Sequence, residues 1–261
     1  MNDFAVRILS AAQGKTHLFA AGQAGYIIKS KSGQLLAWDL YLSECGERME
    51  GHTGFKRLLP KILLPQEISF DWIVASHPHF DHFDMDSVPI LMSSPKTKLF
   101  ASIECRKEAE RLFMKHDRTA YVRPGETYSA GDFTLHFINC DHGTGAPDAV
   151  GAVITVDGKN FFFAGDTCLR LDRIPEILSF GTIDVMIAPI NGAFGNLNEH
   201  DCALLSRNVR PVLTVPCHYG MFAAHGGNPG LFMEYMKEEC PDNSYLLMCM
   251  GEEYEIPEDR K

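Results

Sequence analysis

The run Ser76-His77-Pro78-His79-Phe80-Asp81-His82 places four side chains of metal-ligand type within residues 77 to 82. In an extended segment, residues two apart face the same way, so His77 and His79 can point at one ion. Pro78 keeps His77 out of the helical region and favours that extended form. Asp81 and His82 then fall on the turn that follows, where they can face a second ion. Gathering four ionisable side chains without a partner is costly, which argues for metal over coincidence. Three further candidates, His142, Asp166 and His218, stand apart in the sequence. Imidazole and carboxylate together suit zinc or manganese, with iron as the next choice, whereas an all-oxygen set would suit calcium or magnesium. Seven ligands fit two divalent ions, each with three or four protein ligands and room for a bridging water. Such ions lower the pKa of water from about 15.7 to roughly 7, so hydroxide is available at neutral pH and the reaction class is hydrolysis.

The elements around these residues explain how they could converge. Trp72 to Ala75 reads as a strand that ends at the histidine cluster. The alternating Phe133, Leu135 and Phe137 read as a half-buried strand ahead of His142, Phe161 to Ala164 as a strand ahead of Asp166, and Val212 to Val215 as one ahead of His218. Ligands on loops at strand ends can meet from separate parts of a chain. The first part of the sequence reads as β, with Gly25 to Lys29 and Leu35 to Asp39 flanking the hairpin signal Ser30-Lys31-Ser32-Gly33. A Gly- and Pro-bearing segment, Ser43 to about Pro65, is a candidate loop over the site. Ile103 to Lys115 reads as a surface helix, and Ala152 to Val156 with Phe161 to Ala164 as a hairpin around Asp157-Gly158-Lys159-Asn160. Ile183 to Ala188 reads as an apolar strand, and Asn198 caps a helix with Glu199 and Asp201 in its first turn. The pattern is mixed α/β. With no internal repeat and no long linker, residues 1–261 are expected to fold as a single domain.

The series HxHxDH at 77 to 82, then His142, then Asp166 in Ala-Gly-Asp-Thr, then His218, resembles the metallo-β-lactamase fold superfamily. The resemblance covers nearly the whole chain, including the segment Gly22-Gln23-Ala24-Gly25 to Asp39. It implies an αββα sandwich of two mixed sheets flanked by helices. It also implies that His77, His79 and His142 hold one metal, that Asp81, His82 and His218 hold a second, and that Asp166 bridges both. The stretches Tyr41-Leu42-Ser43, Pro189-Ile190-Asn191-Gly192, Gly195-Asn196-Leu197 and Pro216 to Phe222 are most similar to the L-ascorbate-6-phosphate lactonase-like branch. The implied activity is attack of a metal-bridging hydroxide on a lactone or related ester of a small polar, phosphorylated or unphosphorylated, metabolite. Asp81 and Asp166 would be the catalytic carboxylates that move the proton. A metal-dependent phosphodiesterase is the alternative, and a non-catalytic metal-binding protein the second.

Asp39, Asp84 and Asn191 are candidates to accept the second N–H of a ligand imidazole, since ligating histidines usually donate it to a carboxylate or carbonyl. Asn191, Gly192, Gly195 and Asn196 are candidates to shape the substrate pocket. Lys56, Arg57 and Arg170 are candidates to clamp an anionic group. Cys140, Cys168 and Cys217 lie near ligands but read as small buried fillers. His17, His116 and His136 are expected in the core, and His52, His200 and His225 at the rim.

Composition sets the outer bounds. The 261 residues are 45% hydrophobic and 22% charged, an ordinary soluble balance. No apolar run approaches the ~20 residues of a membrane span, and the N-terminus lacks the basic start and unbroken apolar stretch of a signal peptide. Eight scattered cysteines without a CxxC pair read as reduced thiols. The expectation is a cytoplasmic protein with no membrane partner. A formal net charge of −10, and an acidic stretch at Glu252 to Asp259, disfavour nucleic acid and leave a small molecule as the expected partner.

Overall fold

A computed structural model describes residues 1–51 and 53–258, so His52 and Asp259 lie outside the described residues. The chain forms two compact units, Met1–Val122 with Cys249–Ile256, and Arg123–Met248 with Pro257–Lys261.

The first unit opens with helix α1 (Asp3–Ser10), where β was expected. Phe4, Ala5 and Ile8 recur at helical spacing and are buried, but the pattern spans barely two turns and is hard to see in sequence. The open end of α1 is closed from a distance. The Lys29 ammonium donates to the carbonyls of Ile8, Leu9 and Ala11, each at 2.9 Å, and so satisfies acceptors that a helix end leaves unpaired. Strands β1 (His17–Gly22), β2 (Gly25–Lys29) and β3 (Leu35–Trp38) form an antiparallel meander. Helix α2 (Cys45–Glu50) follows, then β4 (Trp72–Ala75), α3 (Ser87–Leu91), β5 (Lys98–Ser102), α4 (Cys105–Arg111) and β6 (Thr119–Val122). Strands β3 to β6 pair in parallel. Helix α4 is shorter than the surface helix read from Ile103 to Lys115, because Phe113 turns left-handed (φ 54°) and breaks the ladder. Phe19, Ile27, Leu35, Ile73 and Leu99 on one face of the sheet pack with Phe4, Ile8, Val88, Leu91 and Ala109 of its helices.

The second unit repeats this plan. Strands β7 (Thr127–Ala130), β8 (Phe133–Asn139), β9 (Val150–Val156) and β10 (Lys159–Phe163) are antiparallel neighbours. The β9–β10 turn needs two residues where four were expected: Asp157 (φ 52°) and Gly158 (φ 78°) are both left-handed, which releases Lys159 and Asn160 to the strand. Helix α5 (Ile174–Leu178), β11 (Val185–Pro189), α6 (Glu199–Val209), β12 (Leu213–Cys217), α7 (Pro229–Glu239) and β13 (Ser244–Tyr245) complete it. Strands β10 to β13 pair in parallel. Asn198 caps α6 with a capping box to Asp201. A core of Val153, Phe162, Met186, Ala188, Leu205 and Phe232 joins this sheet to its helices. The chain then returns to the first unit with β14 (Glu253–Glu255), antiparallel to β1.

The architecture is thus two mixed seven-stranded sheets flanked by helices. No helix of the described residues is long and apolar enough to cross a membrane.

Candidate metal centre

In the first unit, β1, β3 and β4 run in one direction, so the residues after their C-terminal ends gather at one edge. Those residues are Gln23, Asp39 and the 77 to 82 run. Asp39 is fully buried and organises the edge. Its Oδ1 accepts from the Ser76 amide at 2.7 Å, and its Oδ2 from the Ser76 hydroxyl at 2.6 Å and from His82 Nδ1 at 2.7 Å. With its proton given to Asp39, the Ser76 Oγ accepts from His77 Nδ1 at 3.0 Å. This network assigns the Nδ1–H tautomer to His77 and His82, so that Nε2 is the acceptor nitrogen of each ring. The His77 and His82 rings lie 4.0 Å apart, centroid to centroid, and His77 Nε2 stands 2.8 Å from His79 Nδ1. Asp81 Oδ2 lies 3.7 Å from His82 Nε2. Asp81 is itself held by Gln23, whose Nε2 donates to its Oδ2 at 2.8 Å.

In the second unit, β8, β10, β11 and β12 all run in one direction, and His142, Asp166, the 190 to 197 loop and His218 follow them. The two oxygens of Asp166 face different histidines: Oδ1 lies 3.3 Å from His218 Nε2 and Oδ2 lies 3.7 Å from His142 Nε2. Asn196 Nδ2 donates to that Oδ2 at 2.7 Å. Gly165 makes the geometry possible. Its φ is 66°, and a β-carbon there would lie 2.8 Å from Cys140 Sγ and 3.0 Å from the Val150 carbonyl. The Cys140 thiol donates to the Ala164 carbonyl at 2.9 Å, a packing role. The His225 ring stacks on His218 at 4.8 Å and 17°.

The donor set suits a borderline transition metal, since buried imidazoles stand beside carboxylates. All seven candidate ligands fall, among the described residues, in His and Asp groups able to hold a metal ion.

Comparison with known proteins agrees with this chemistry. The β-lactamase superfamily domain profile matches residues 44–219. A UPF0173 metal-dependent hydrolase of Anaeromyxobacter sp. (strain K) is 31% identical over 235 residues, spanning 84% of this chain and 80% of that protein. The chain belongs to the metallo-β-lactamase superfamily of metal-dependent hydrolases. A more distant UPF0173 metal-dependent hydrolase, from Archaeoglobus fulgidus, is 26% identical over 74% of this chain and 84% of its own length. Among solved structures, Igni18, a metallo hydrolase from Ignicoccus hospitalis, superposes with a TM-score of 0.71 at 20% identity, covering 94% of this chain and all (100%) of that one. The diiron β-hydroxylase CmlA from Streptomyces venezuelae has a TM-score of 0.68 at 13% identity, covering 92% of this chain and 54% of that one. At these identities the structural likenesses establish the metallo-β-lactamase fold.

Several expected site residues in this superfamily member do something else. Arg57 is buried and donates to the carbonyls of Leu59 at 2.9 Å, Tyr41 at 2.9 Å and Ser43 at 3.4 Å. Its guanidinium also lies over the Tyr41 ring at 5.2 Å. These contacts anchor the loop that carries it. Arg170 is likewise engaged, by Asp141 at 2.7 Å and Asp172 at 2.8 Å, and these carboxylates raise its pKa above the usual guanidinium range. Asp84 faces the loop that follows β3. It accepts from the amides of Leu42, Ser43, Asp86 and Ser87 and from the hydroxyls of Ser43 and Ser87, so it fastens the loop after β3. Beside it, burial pushes the Cys45 thiol up to about 12. Asn191 is buried, and neither polar atom of its side chain has a protein partner. His17 is buried, as expected, but His116 is exposed and bonds Tyr121, and His136 is half-buried against Phe180.

Sequence reasoning missed Gln23 and Ser76. A signal for Gln23 does exist. The β1–β2 connection is only Gln23-Ala24, and Gln23 takes φ 56°, where Asn or Gly would normally stand. A large side chain in that slot is there for its carboxamide.

Proposed function

We propose that this chain is a dinuclear metal-dependent hydrolase that opens ester-like carbonyls, lactones foremost, in the manner of the L-ascorbate-6-phosphate lactonase-like branch. His77, His79 and His142 would hold one ion, Asp81, His82 and His218 the other, and Asp166 both. The observation that carries the reading is Asp166, whose two oxygens address two different imidazole nitrogens. A carboxylate divided in this way suits a bridge better than a single-ion ligand. When bound, the ions would make hydroxide available at neutral pH and polarise the carbonyl under attack.

The protein's own groups then have defined tasks. Asp39 and Ser76 fix His82 and His77 in the tautomer whose Nε2 is the acceptor nitrogen. Gln23 and Asn196 hold one oxygen each of Asp81 and Asp166, which orients the other. Asp81 or Asp166 takes the proton released by the attacking water. Of the three cations nominated to clamp an anion, Lys56 is exposed, while Arg57 and Arg170 are engaged by groups of the protein, which supports a carbonyl substrate over a phosphodiester.

The deciding test is elemental analysis beside a substrate screen. Wild type should bind about two equivalents of zinc, manganese or iron per chain, and His79→Ala should bind less. His79 is exposed, so the change spares the core. Lactone hydrolysis outpacing phosphodiester hydrolysis completes the case. Faster phosphodiester cleavage would move the assignment to the phosphodiesterase, and less than one equivalent after reconstitution would move it to a non-catalytic metal-binding protein.

A further inference from the structure

We infer that Phe194 and His225 form an aromatic surface beside the candidate ligands of the second unit, and that it selects substrates whose non-reacting part is planar or apolar. The inference rests on the hydrolytic reading above and names the body of the substrate that reading leaves open.

Phe194 combines two features that packing does not explain. It is 61% exposed, and its backbone is left-handed at φ 55°, a conformation disfavoured by a β-carbon. The loop that presents it is tied down from below. Gly192 N donates to the Leu197 carbonyl at 3.0 Å, Asn196 N to Ala193 at 3.0 Å, and Leu197 N to Thr167 at 2.8 Å. Leu197 is fully buried, and Asn196 bonds Asp166. The exposed ring therefore stands on a fixed tip, two residues from a side chain that holds a ligand carboxylate.

His225 extends this surface to the ligands. Its ring lies nearly parallel to His218 at 4.8 Å and meets Phe194 edge-on at 5.5 Å and 62°. Phe222 closes against it at 5.2 Å and 83°. The neighbouring Gly226 seats this segment, because a β-carbon there would lie 2.5 Å from the Asn191 carbonyl oxygen. Rings thus run in a row from His218 through His225 to Phe194. A substrate whose scissile carbonyl lies near His218 has this row on which to lay its remaining atoms. Aromatic faces and edges reward a flat partner.

The test uses zinc-reconstituted protein of measured metal content and two hydroxamates, benzohydroxamate and acetohydroxamate. Both chelate through the same group and differ in body. Calorimetry should give a wild-type preference for benzohydroxamate, and Phe194→Ala should cut that preference about fivefold while leaving acetohydroxamate affinity and zinc content unchanged. Phe194→Tyr should retain the preference. An unchanged preference in Phe194→Ala overturns the platform, as does failure of wild type to distinguish the two probes. Preference for the aryl probe without hydrolysis of any lactone or ester would instead sink the hydrolytic reading and leave the platform standing.

Discussion

An imidazole presents a lone pair to a metal only when its other nitrogen carries the proton, and a carboxylate on that side enforces the arrangement. Asp39 does this directly for His82, and through Ser76 for His77. Asp39→Asn keeps the shape and removes the charge. It should weaken metal binding about tenfold, at unchanged circular dichroism, in a competition titration with a chelator. An affinity equal to wild type would mean the imidazoles are oriented by packing alone. The candidate ligands His77, His79, Asp81 and His82 stand out in sequence because they sit in one short run. Gln23 does not, because its role depends on meeting Asp81, 58 residues away, across a turn whose backbone no local propensity predicts.

At the scale of elements, the decisive fact is direction. In each unit the strands that carry candidate site residues share one direction, so their loops open on one edge. Alternation and turn chemistry announced most of these strands. The segment after β3 was legible only as a loop, and Arg57 within it as a candidate anion clamp, because sequence shows a cation's charge and not the carbonyls that meet it. Arg57 is buried, and its donors meet carbonyls of the loop it holds. Arg57→Ala should lower the melting temperature, with a loss of about 2 kcal/mol for the abandoned carbonyls. KM for a phosphorylated substrate should not rise more than KM for its uncharged counterpart. A selective rise for the phosphorylated one would restore Arg57 as an anion clamp.

At the scale of the molecule, each unit contains an antiparallel meander followed by three parallel strands. The sequence carries no visible repeat because what recurs is backbone pairing, and many side-chain sets satisfy the same pairing. The net charge of −10 agrees with a small-molecule hydrolase and gives no encouragement to polyanions. One residue of the first unit can report on folding as a whole. Lys29 is 4% exposed, with its ammonium fastened to three carbonyls at the end of α1. An amine so enclosed is out of reach of acylating reagents, whereas Lys96, 53% exposed at its side chain, is open to them. In a time course of acetic anhydride labelling read by mass spectrometry, Lys96 should react at once and Lys29 only as fast as α1 lifts from its sheet. The lag between them is then a clock for the opening of the N-terminal helix, available in the native chain without any introduced probe.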